Sequence, residues 1–105
     1  KILYNSLNKG GIFNFQVFNS KFKNNEFYLI VSRLFPHKNV DIAIDAFNKL
    51  GLPLLIIGDG PECKKLKAKS EKRKIKLLGF VADEELPYYY QNCRALIIPQ
   101  EEDFG

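Results

Sequence analysis

Two charged loops carry the residues that are best suited to chemistry in this sequence. The loop at residues 32–38 reads SRLFPHK and contains the cations Arg33 and Lys38, while residues 99–105 read PQEEDFG and contain consecutive acids. Each loop follows a short apolar run that is typical of a strand. Guanidinium and ammonium groups bind phosphate oxygens, and carboxylates accept hydrogen bonds from hydroxyls. If both runs are neighbouring parallel strands, the loops face one crevice, which would suit an anionic, diphosphate-bearing sugar.

The acidic loop leaves three interpretations open. Glu101, Glu102 and Asp103 could hydrogen-bond to sugar or ribose hydroxyls, bind a divalent metal, or form a plain acidic turn. We favour hydroxyl recognition, because consecutive side chains rarely converge on one ion and the sequence has no D-x-D spacing. It also has no P-loop, G-x-G-x-x-G or zinc pattern, so we expect neither a metal nor a cofactor. The single histidine, His37, is more typical of an ordinary loop residue than of a catalytic one.

Apolar runs that alternate with helical patterns must position these loops. The runs lie at residues 27–32, 54–57, 75–78 and 95–98, and they have the continuous apolar character of strands that are buried on both faces. Strands that alternate with helices predict an α/β fold with a parallel sheet. Right-handed crossovers give the Rossmann-like strand order 3-2-1-4 with flanking helices. That order makes the first and fourth runs neighbours, so their loops meet at the switch point where such sheets bind ligands.

Capping residues predict where the intervening helices begin and end. Asn39 and Gly51 can cap the two ends of the first helix. Gly60 and Pro61 can open the second helix, and Asp83 can cap the third. Each helix therefore has a local signal at its start, in addition to an apolar stripe that faces the sheet.

Charge and cysteine usage limit the partners and the location. The formal net charge is +4, the pI is about 9.1, and most of the excess lies in residues 64–76, KKLKAKSEKRKIK. We favour a solvated helix face for this run, although contact with anionic lipid or nucleic acid stays open. Cys63 and Cys93 lack metal-binding spacing, and Cys93 falls in an apolar stripe, as a reduced core thiol would. With no bilayer-spanning segment or signal peptide, we expect a cytoplasmic protein that could lie peripherally at the inner face of the membrane.

The ends of the sequence suggest a fragment. Residues 1–26 are treated as a lead-in segment, in which residues 2–4 and 13–18 have strand character, and residues 27–105 as one truncated Rossmann-like domain. The chain starts at Lys1 and contains no Met, so we expect it to be part of a longer protein. A sheet that stopped after the run at 95–98 would leave an apolar edge, which predicts self-association or strand borrowing there.

Four ordered motifs resemble the C-terminal, donor-binding domain of group 1 (family 4) retaining glycosyltransferases. They are residues 31–38, 57–61, 78–86 and 99–105, which read VSRLFPHK, IGDGP, LGFVADEEL and PQEEDFG. The resemblance covers about residues 27–105, and the last motif further resembles a bacterial subgroup that includes O-antigen mannosyltransferases. It implies that the intact protein is a two-domain GT-B enzyme. Such an enzyme would transfer a hexose, with GDP-mannose as a candidate donor, to a glycan or lipid-linked acceptor with retention.

The resemblance also implies roles for single residues. Arg33 and Lys38 would hold the donor diphosphate. Glu102 matches the first Glu of the E-x7-E motif, which contacts the sugar, and is the candidate catalytic residue. The other donor-binding candidates are Gly58 on the cleft floor, Phe80 and Val81 beside the base, and Asp103, Phe104 and Gly105 beside the sugar. No metal would be needed, because fixed cations would neutralise the leaving diphosphate.

Departures from the family pattern keep alternatives open. The second Glu of the motif and the acceptor-binding domain lie outside the sequence, so we expect this chain alone to be inactive. Lys38 is followed by Asn39, where the family often has glycine. One alternative is a flavodoxin-like binding or regulatory module, whose properties would not depend on Arg33. The other is a basic nucleic-acid-binding domain built on residues 64–76, with steeply salt-dependent binding; we favour the transferase and expect no nucleic-acid partner.

Overall fold

A computed structural model describes residues 27–70 and 74–99, together with the backbone of two strands nearer the N-terminus. The strands are β1 (Ile2–Tyr4), β2 (Phe15–Asn19), β3 (Tyr28–Val31), β4 (Leu54–Ile57), β5 (Ile75–Gly79) and β6 (Ala95–Ile98). The helices are α1 (Val40–Leu50), α2 (Cys63–Lys69) and α3 (Leu86–Asn92), and a 3₁₀ turn occupies Pro36–Lys38.

The described strands form one sheet in the order β1-β2-β6-β3-β4-β5. β5, β4, β3 and β6 run parallel to their neighbours, whereas β1 and β2 are antiparallel additions. The predicted α/β sheet with strand order 3-2-1-4 is therefore confirmed. The four predicted strands agree with β3, β4, β5 and β6 to within one residue at each end, because continuous apolar runs of this length are a strong strand signal.

The outer edge of β6 is paired, which corrects the predicted open edge. β2 runs antiparallel along β6, with Val17 opposite Ile97 and Asn19 opposite Ala95, and β1 continues the sheet beyond β2. The prediction of an unpaired edge was wrong because a strand from the first 26 residues covers it, and the self-association that we inferred from that edge has lost its basis. The two strand-like runs in this segment do form strands, the second shifted from 13–18 to Phe15–Asn19.

Alternate residues of the central strands are buried on opposite faces of the sheet. Ile30 and Ile56 pack with Phe47 of α1 and with α2 on one face, whereas Leu29 and Ile57 pack toward α3 on the other. This period of two is the side-chain alternation of a strand, and burial on both faces is expected for a parallel sheet with helices on each side. The side chains on the α3 face contribute to the candidate site described below.

Helix α1 has the predicted ends but not the predicted cap interaction. Asn39 is its N-cap with a left-handed backbone, φ 60° and ψ 27°, and its side chain makes no capping hydrogen bond. Gly51 ends the helix at φ 69°, and its N–H donates to the carbonyl of Phe47. Asn39 therefore acts through its tolerance of the left-handed conformation rather than through its amide group.

Helices α2 and α3 begin later than predicted. Gly60 and Pro61 belong to the turn before α2, which begins at Cys63. Asp83 belongs to the turn before α3, where its carbonyl accepts the N–H of Leu86, the first residue of the helix. In both cases the turn residues were read as the first residues of the helix, because Pro and Asp are favoured in turns as well as at helix starts.

Cys93, which follows α3, is a free thiol in the apolar layer between this helix and the sheet. It is 2 % exposed, and its thiol donates to the carbonyl of Tyr90 over 3.4 Å. Burial raises the pKa of the Cys93 thiol above its ordinary value of 9.0, against a smaller lowering by a backbone hydrogen bond. The predicted core position of Cys93 is confirmed.

Candidate functional site

A cleft of about 620 Å³ opens at the edge of the sheet where the parallel strands end. Three chain segments form it: the loop after β3, the loop after β4, and the stretch from β5 to α3. The lining residues are Val31, Ser32, Arg33, Ile57, Gly58, Asp59, Phe80, Val81 and Leu86. Among the described residues, its lining lies at the carboxyl ends of β3 and β4 and along the segment that leads from β5 to α3. Open α/β sheets bind their ligands at this position.

The floor of the cleft is apolar and is continuous with the core. Val31 and Ile57 are the last residues of β3 and β4, and both belong to the apolar cluster on the α3 face. Val81 and Leu86 join the same cluster from the segment that leads into α3. Because these side chains are held by the sheet and by α3, the floor is a rigid surface against which a ligand can pack.

Backbone hydrogen bonds join the first two walls. The N–H of Ser32 donates to the carbonyl of Ile57 over 3.0 Å, and that of Leu34 donates to the carbonyl of Asp59 over 3.0 Å. The N–H of Glu62 donates a hydrogen bond to the carbonyl of Leu34 over 3.0 Å. The Leu34 side chain is fully buried and anchors the loop in the core. The two loops are therefore held together by their main chains and not by surface side chains.

Gly58 allows these walls to approach each other. Its φ is 143°, and a Cβ added at this position would overlap the carbonyl oxygen of Ser32. Its N–H donates to the carbonyl of Gly79 over 2.9 Å, which ties the third segment to the second. A side chain at residue 58 would thus be strained by its backbone angle and would collide with the neighbouring loop.

Arg33 places a positive charge at the wall of the cleft. The residue is exposed, and its carbonyl accepts a 2.8 Å hydrogen bond from the Ser32 hydroxyl. Its guanidinium carbon lies 5.7 Å from the centre of the Phe35 ring. Within residues 27–70 and 74–99, the structure records no ion pair or hydrogen bond of the guanidinium. Within this described part of the chain, no acidic side chain occupies the N–H groups that could bind an anion.

Asp59 is an acidic residue in the described lining of the cleft. Its Oδ1 accepts the N–H of Gly60 over 2.8 Å, within the turn that precedes α2. One of its carboxylate oxygens is thus used by the chain itself. With Arg33 on one loop and Asp59 on the next, the cleft has a positive and a negative side, and an anionic ligand would lie on the Arg33 side.

Four of the predicted site residues line the cleft together. These are Arg33, Gly58, Phe80 and Val81. Phe80 is 79 % exposed and stands at the rim, an unusual position for a large apolar side chain. Four others, Glu102, Asp103, Phe104 and Gly105, lie outside the described residues, and so does the distance from Arg33 to the acidic loop. Their placement remains a prediction.

Lys38 is not among the residues that line the cleft. It ends the 3₁₀ turn, is half-buried, and donates its N–H to the carbonyl of Phe35 over 3.0 Å. The turn therefore separates the two cations that the sequence suggested would act together. The structure brings Arg33 to the cleft and leaves Lys38 at the far end of the same loop.

Sequence reasoning missed the remaining lining residues. Val31, Ile57 and Leu86 are apolar and were assigned to the core, while Ser32 and Asp59 were noted only as parts of loops. The alternation of side chains along a strand could have identified Val31 and Ile57. Each is the last residue of its strand, and both lie on the face of the sheet that packs against α3.

Clustered metal ligands and membrane-spanning helices are both absent from the part of the chain that the structure describes. In residues 27–70 and 74–99, no three His, Cys, Asp or Glu side chains come together as a potential metal site. The acidic run at residues 101–103 lies outside this range. None of the helices described is both long and apolar enough to cross a bilayer.

A parallel sheet in this order, with a ligand-sized cleft at the carboxyl ends of its strands, defines an α/β Rossmann-like domain. Residues 12–105 match the family model described as Glycosyl transferases group 1, and the chain belongs to this family. An uncharacterized glycosyltransferase of Methanocaldococcus jannaschii, MJ1178, is 32% identical over 108 residues, covering 99% of this chain and 29% of the relative. The O-antigen chain mannosyltransferase C of Escherichia coli is 28% identical over 85 residues, covering 75% of this chain and 23% of the relative.

A solved structure supports the fold. A crystal structure of a mutant of S. aureus TarM, in complex with Fondaparinux, alpha-GlcNAc-glycerol and UDP, is similar with a TM-score of 0.53 and 18% identity. The match covers 71% of this chain and 17% of TarM. The chain thus spans less than a third of the length of the curated relatives it matches. The fold is similar to part of a GT-B glycosyltransferase.

Proposed function

We propose that the cleft binds the diphosphate of a nucleotide-sugar donor and forms part of a glycosyltransferase that transfers a hexose. The observation that carries this proposal is Arg33, a guanidinium without an ionic partner in the described chain, at a cleft on the carboxyl edge of the sheet. A planar guanidinium can form two parallel hydrogen bonds with a diphosphate. Family membership supplies the chemistry that this geometry serves.

The reaction explains why a fixed cation is useful. The bond between the anomeric carbon and the diphosphate oxygen breaks, a bond to the acceptor hydroxyl forms, and the hydroxyl proton is released. Negative charge grows on the departing nucleoside diphosphate while the sugar becomes oxocarbenium-like. A guanidinium that is already in place stabilises that charge without reorganisation. We propose that protein cations take this role in place of a cofactor or metal, with retention of configuration.

The parts of the donor can be assigned along the cleft. Phe80 and Val81 would lie beside the base, and Gly58 would form part of the cleft floor. Lys38 would add a second cation by extending its side chain from the end of the 3₁₀ turn. Glu102 would contact the sugar as the candidate catalytic residue. The remaining candidates beside the sugar are Asp103, Phe104 and Gly105.

The donor and the acceptor are the finer part of the proposal. The E. coli relative is named an O-antigen chain mannosyltransferase, which makes GDP-mannose the donor to test first. By the same likeness, the acceptor would be a glycan or a lipid-linked glycan. Because the chain covers less than a third of its relatives, transfer is proposed for a protein of their length, and this chain alone is expected to bind a donor without transferring its sugar.

The test is a calorimetric titration of the chain with GDP, UDP and ADP. We expect binding of at least one of them, and a loss of about tenfold or more in Arg33→Ala. The matched control is Arg94→Ala, since Arg94 is also exposed but precedes β6 at the opposite edge of the sheet. Equal affinities of the wild type and Arg33→Ala, or an equal loss in both variants, would contradict the proposed site.

A second surface supports peripheral contact with the inner face of a membrane. On α2, Leu66 is buried while Lys64 and Lys67 are exposed, and neither lysine has an ion pair within the described ranges. Lys69 differs, because its Nζ pairs with Asp45 of α1 at 3.0 Å. We expect sedimentation with anionic but not neutral vesicles, lost in Lys64→Glu/Lys67→Glu and kept in Arg94→Glu. Equal sedimentation with both vesicle types would contradict membrane contact.

A further inference from the structure

Three side chains of the loop after β3 stack in a row beside the cleft. The guanidinium carbon of Arg33 lies 5.7 Å from the centre of the Phe35 ring. The rings of Phe35 and His37 are 6.0 Å apart between centres, with planes inclined by 18°. Arg33 lines the cleft, whereas Phe35 and His37 are not among its lining residues.

The local backbone explains this arrangement. Phe35 has an extended backbone, with φ −109° and ψ 156°. Leu34, between Arg33 and Phe35, is fully buried and anchors this part of the loop in the core. The 3₁₀ turn then brings His37 back over Phe35, and the N–H of Lys38 closes that turn on the Phe35 carbonyl.

We propose that Phe35 is a positioning residue for Arg33, and that its ring holds the guanidinium at the cleft wall in the orientation that receives a diphosphate. His37 supports Phe35 from within the same loop. This inference rests on the proposed function, because it assumes that Arg33 meets the diphosphate. It adds a residue that touches no ligand and acts through another side chain.

An aromatic partner suits this task better than an acidic one. A carboxylate would hold Arg33 firmly, but it would occupy the same N–H groups that must bind the phosphate oxygens. A ring face attracts the guanidinium through its quadrupole and leaves the N–H groups in the guanidinium plane free. A free arginine loses much side-chain rotamer freedom when it binds an anion. A guanidinium that is already stacked loses less, so its affinity for the anion is higher.

A double-mutant cycle in nucleoside diphosphate binding tests the proposal. Phe35→Leu keeps the apolar bulk and removes the ring, and we expect the affinity to fall about two- to fivefold. Phe35→Tyr keeps the ring and should stay within about twofold of the wild type. In an Arg33→Ala background, Phe35→Leu should cause no further loss. An equal loss in both backgrounds would show that Phe35 acts through the fold and would overturn the inference.

A measurement on the free chain separates this inference from the proposed function. The Phe35 ring current should shift the side-chain CH₂ protons of Arg33 upfield in the wild type and Phe35→Tyr, and the shift should vanish in Phe35→Leu. If no nucleoside diphosphate binds the wild type, the proposed function fails. The spectrum still shows whether Arg33 stacks on Phe35. Identical Arg33 shifts in wild type and Phe35→Leu would refute the stack. Should Phe35→Leu not fold, an unshifted Arg33 in wild type and Phe35→Tyr would refute it equally.

Discussion

Gly58 and Ser32 lie in main-chain contact across the cleft walls, so closely that a Cβ on Gly58 would overlap the Ser32 carbonyl oxygen. The next backbone contact along the same two loops is the hydrogen bond from the N–H of Leu34 to the carbonyl of Asp59. The absence of one side chain thus determines how near the Arg33 loop comes to the neighbouring strand end. This contact makes Gly58 the position where a small substitution should have the largest effect.

We expect Gly58→Ala to lower the free energy of unfolding by about 2–4 kcal/mol, because the overlap with backbone adds to the cost of the positive φ. Gly51→Ala is the matched control. Gly51 also has a positive φ, 69°, but a Cβ there would meet nothing within 4 Å, so we expect a loss of only about 1 kcal/mol. Urea unfolding followed by circular dichroism measures both. Equal losses would mean that the loops can separate freely.

Among the described residues, Asn39 is the one non-glycine residue with a positive φ, 60°, and it joins the 3₁₀ turn that ends at Lys38 to α1. We expect Asn39→Ala to lower the free energy of unfolding by about 1 kcal/mol, because alanine tolerates the left-handed region less well than asparagine. Asn39→Gly should be neutral or stabilising. This expectation agrees with the glycine that the glycosyltransferase family often has at the position after Lys38. Thermal melts of the two variants would refute the explanation if they were superimposable.

Phe80 should matter for binding and little for stability. At 79 % exposure, its removal in Phe80→Ala should change the free energy of unfolding by less than about 0.5 kcal/mol. If it borders the base of a nucleotide, affinity should fall about fivefold or more, as base stacking on an aromatic ring is lost. Tyr88→Ala is the control, since Tyr88 is 62 % exposed but does not line the cleft. Equal affinities for all three proteins would remove Phe80 from the site.

Cys93 should make the protein less stable in alkaline solution. Burial raises the pKa of its thiol in the folded state above the ordinary 9.0, so the folded chain holds the proton more tightly than the unfolded chain. The stabilising contribution is complete below that ordinary pKa and is lost as the pH rises through the higher folded one. The stability of the wild type relative to Cys93→Ala should therefore fall as the pH rises through the ordinary pKa of 9.0 and beyond it. A constant difference would contradict this account.

Much of the sheet could be predicted from the sequence, and its extension could not. The first and last residues of β4 and β6 were predicted correctly, because a short apolar run between turn signals has few other interpretations. The pairing of β2 with β6 was missed. A strand carries no local mark of its partner, since every strand edge offers the same backbone groups, and the choice depends on how the rest of the chain packs.

The lining of the cleft could also be predicted only in part. Arg33, Gly58, Phe80 and Val81 could be predicted because loops at the ends of parallel strands share one edge. Lys38 was expected to act with Arg33 because both lie on the loop after β3 and match the family motif, but Lys38 ends the 3₁₀ turn and is not among the residues that line the cleft. Spacing along a loop does not determine distance, because the path of a loop depends on turns that sequence patterns describe only weakly.

The reciprocal bonding of Leu34 with Asp59 and Glu62 has a consequence for motion. With one buried leucine and two crossing main-chain bonds between them, the loops after β3 and β4 should travel as a single rigid unit. An arriving donor could not be gripped by pinching these loops together. Among the described lining residues, the exposed Phe80 side chain at the rim is the group best placed to adjust to a ligand.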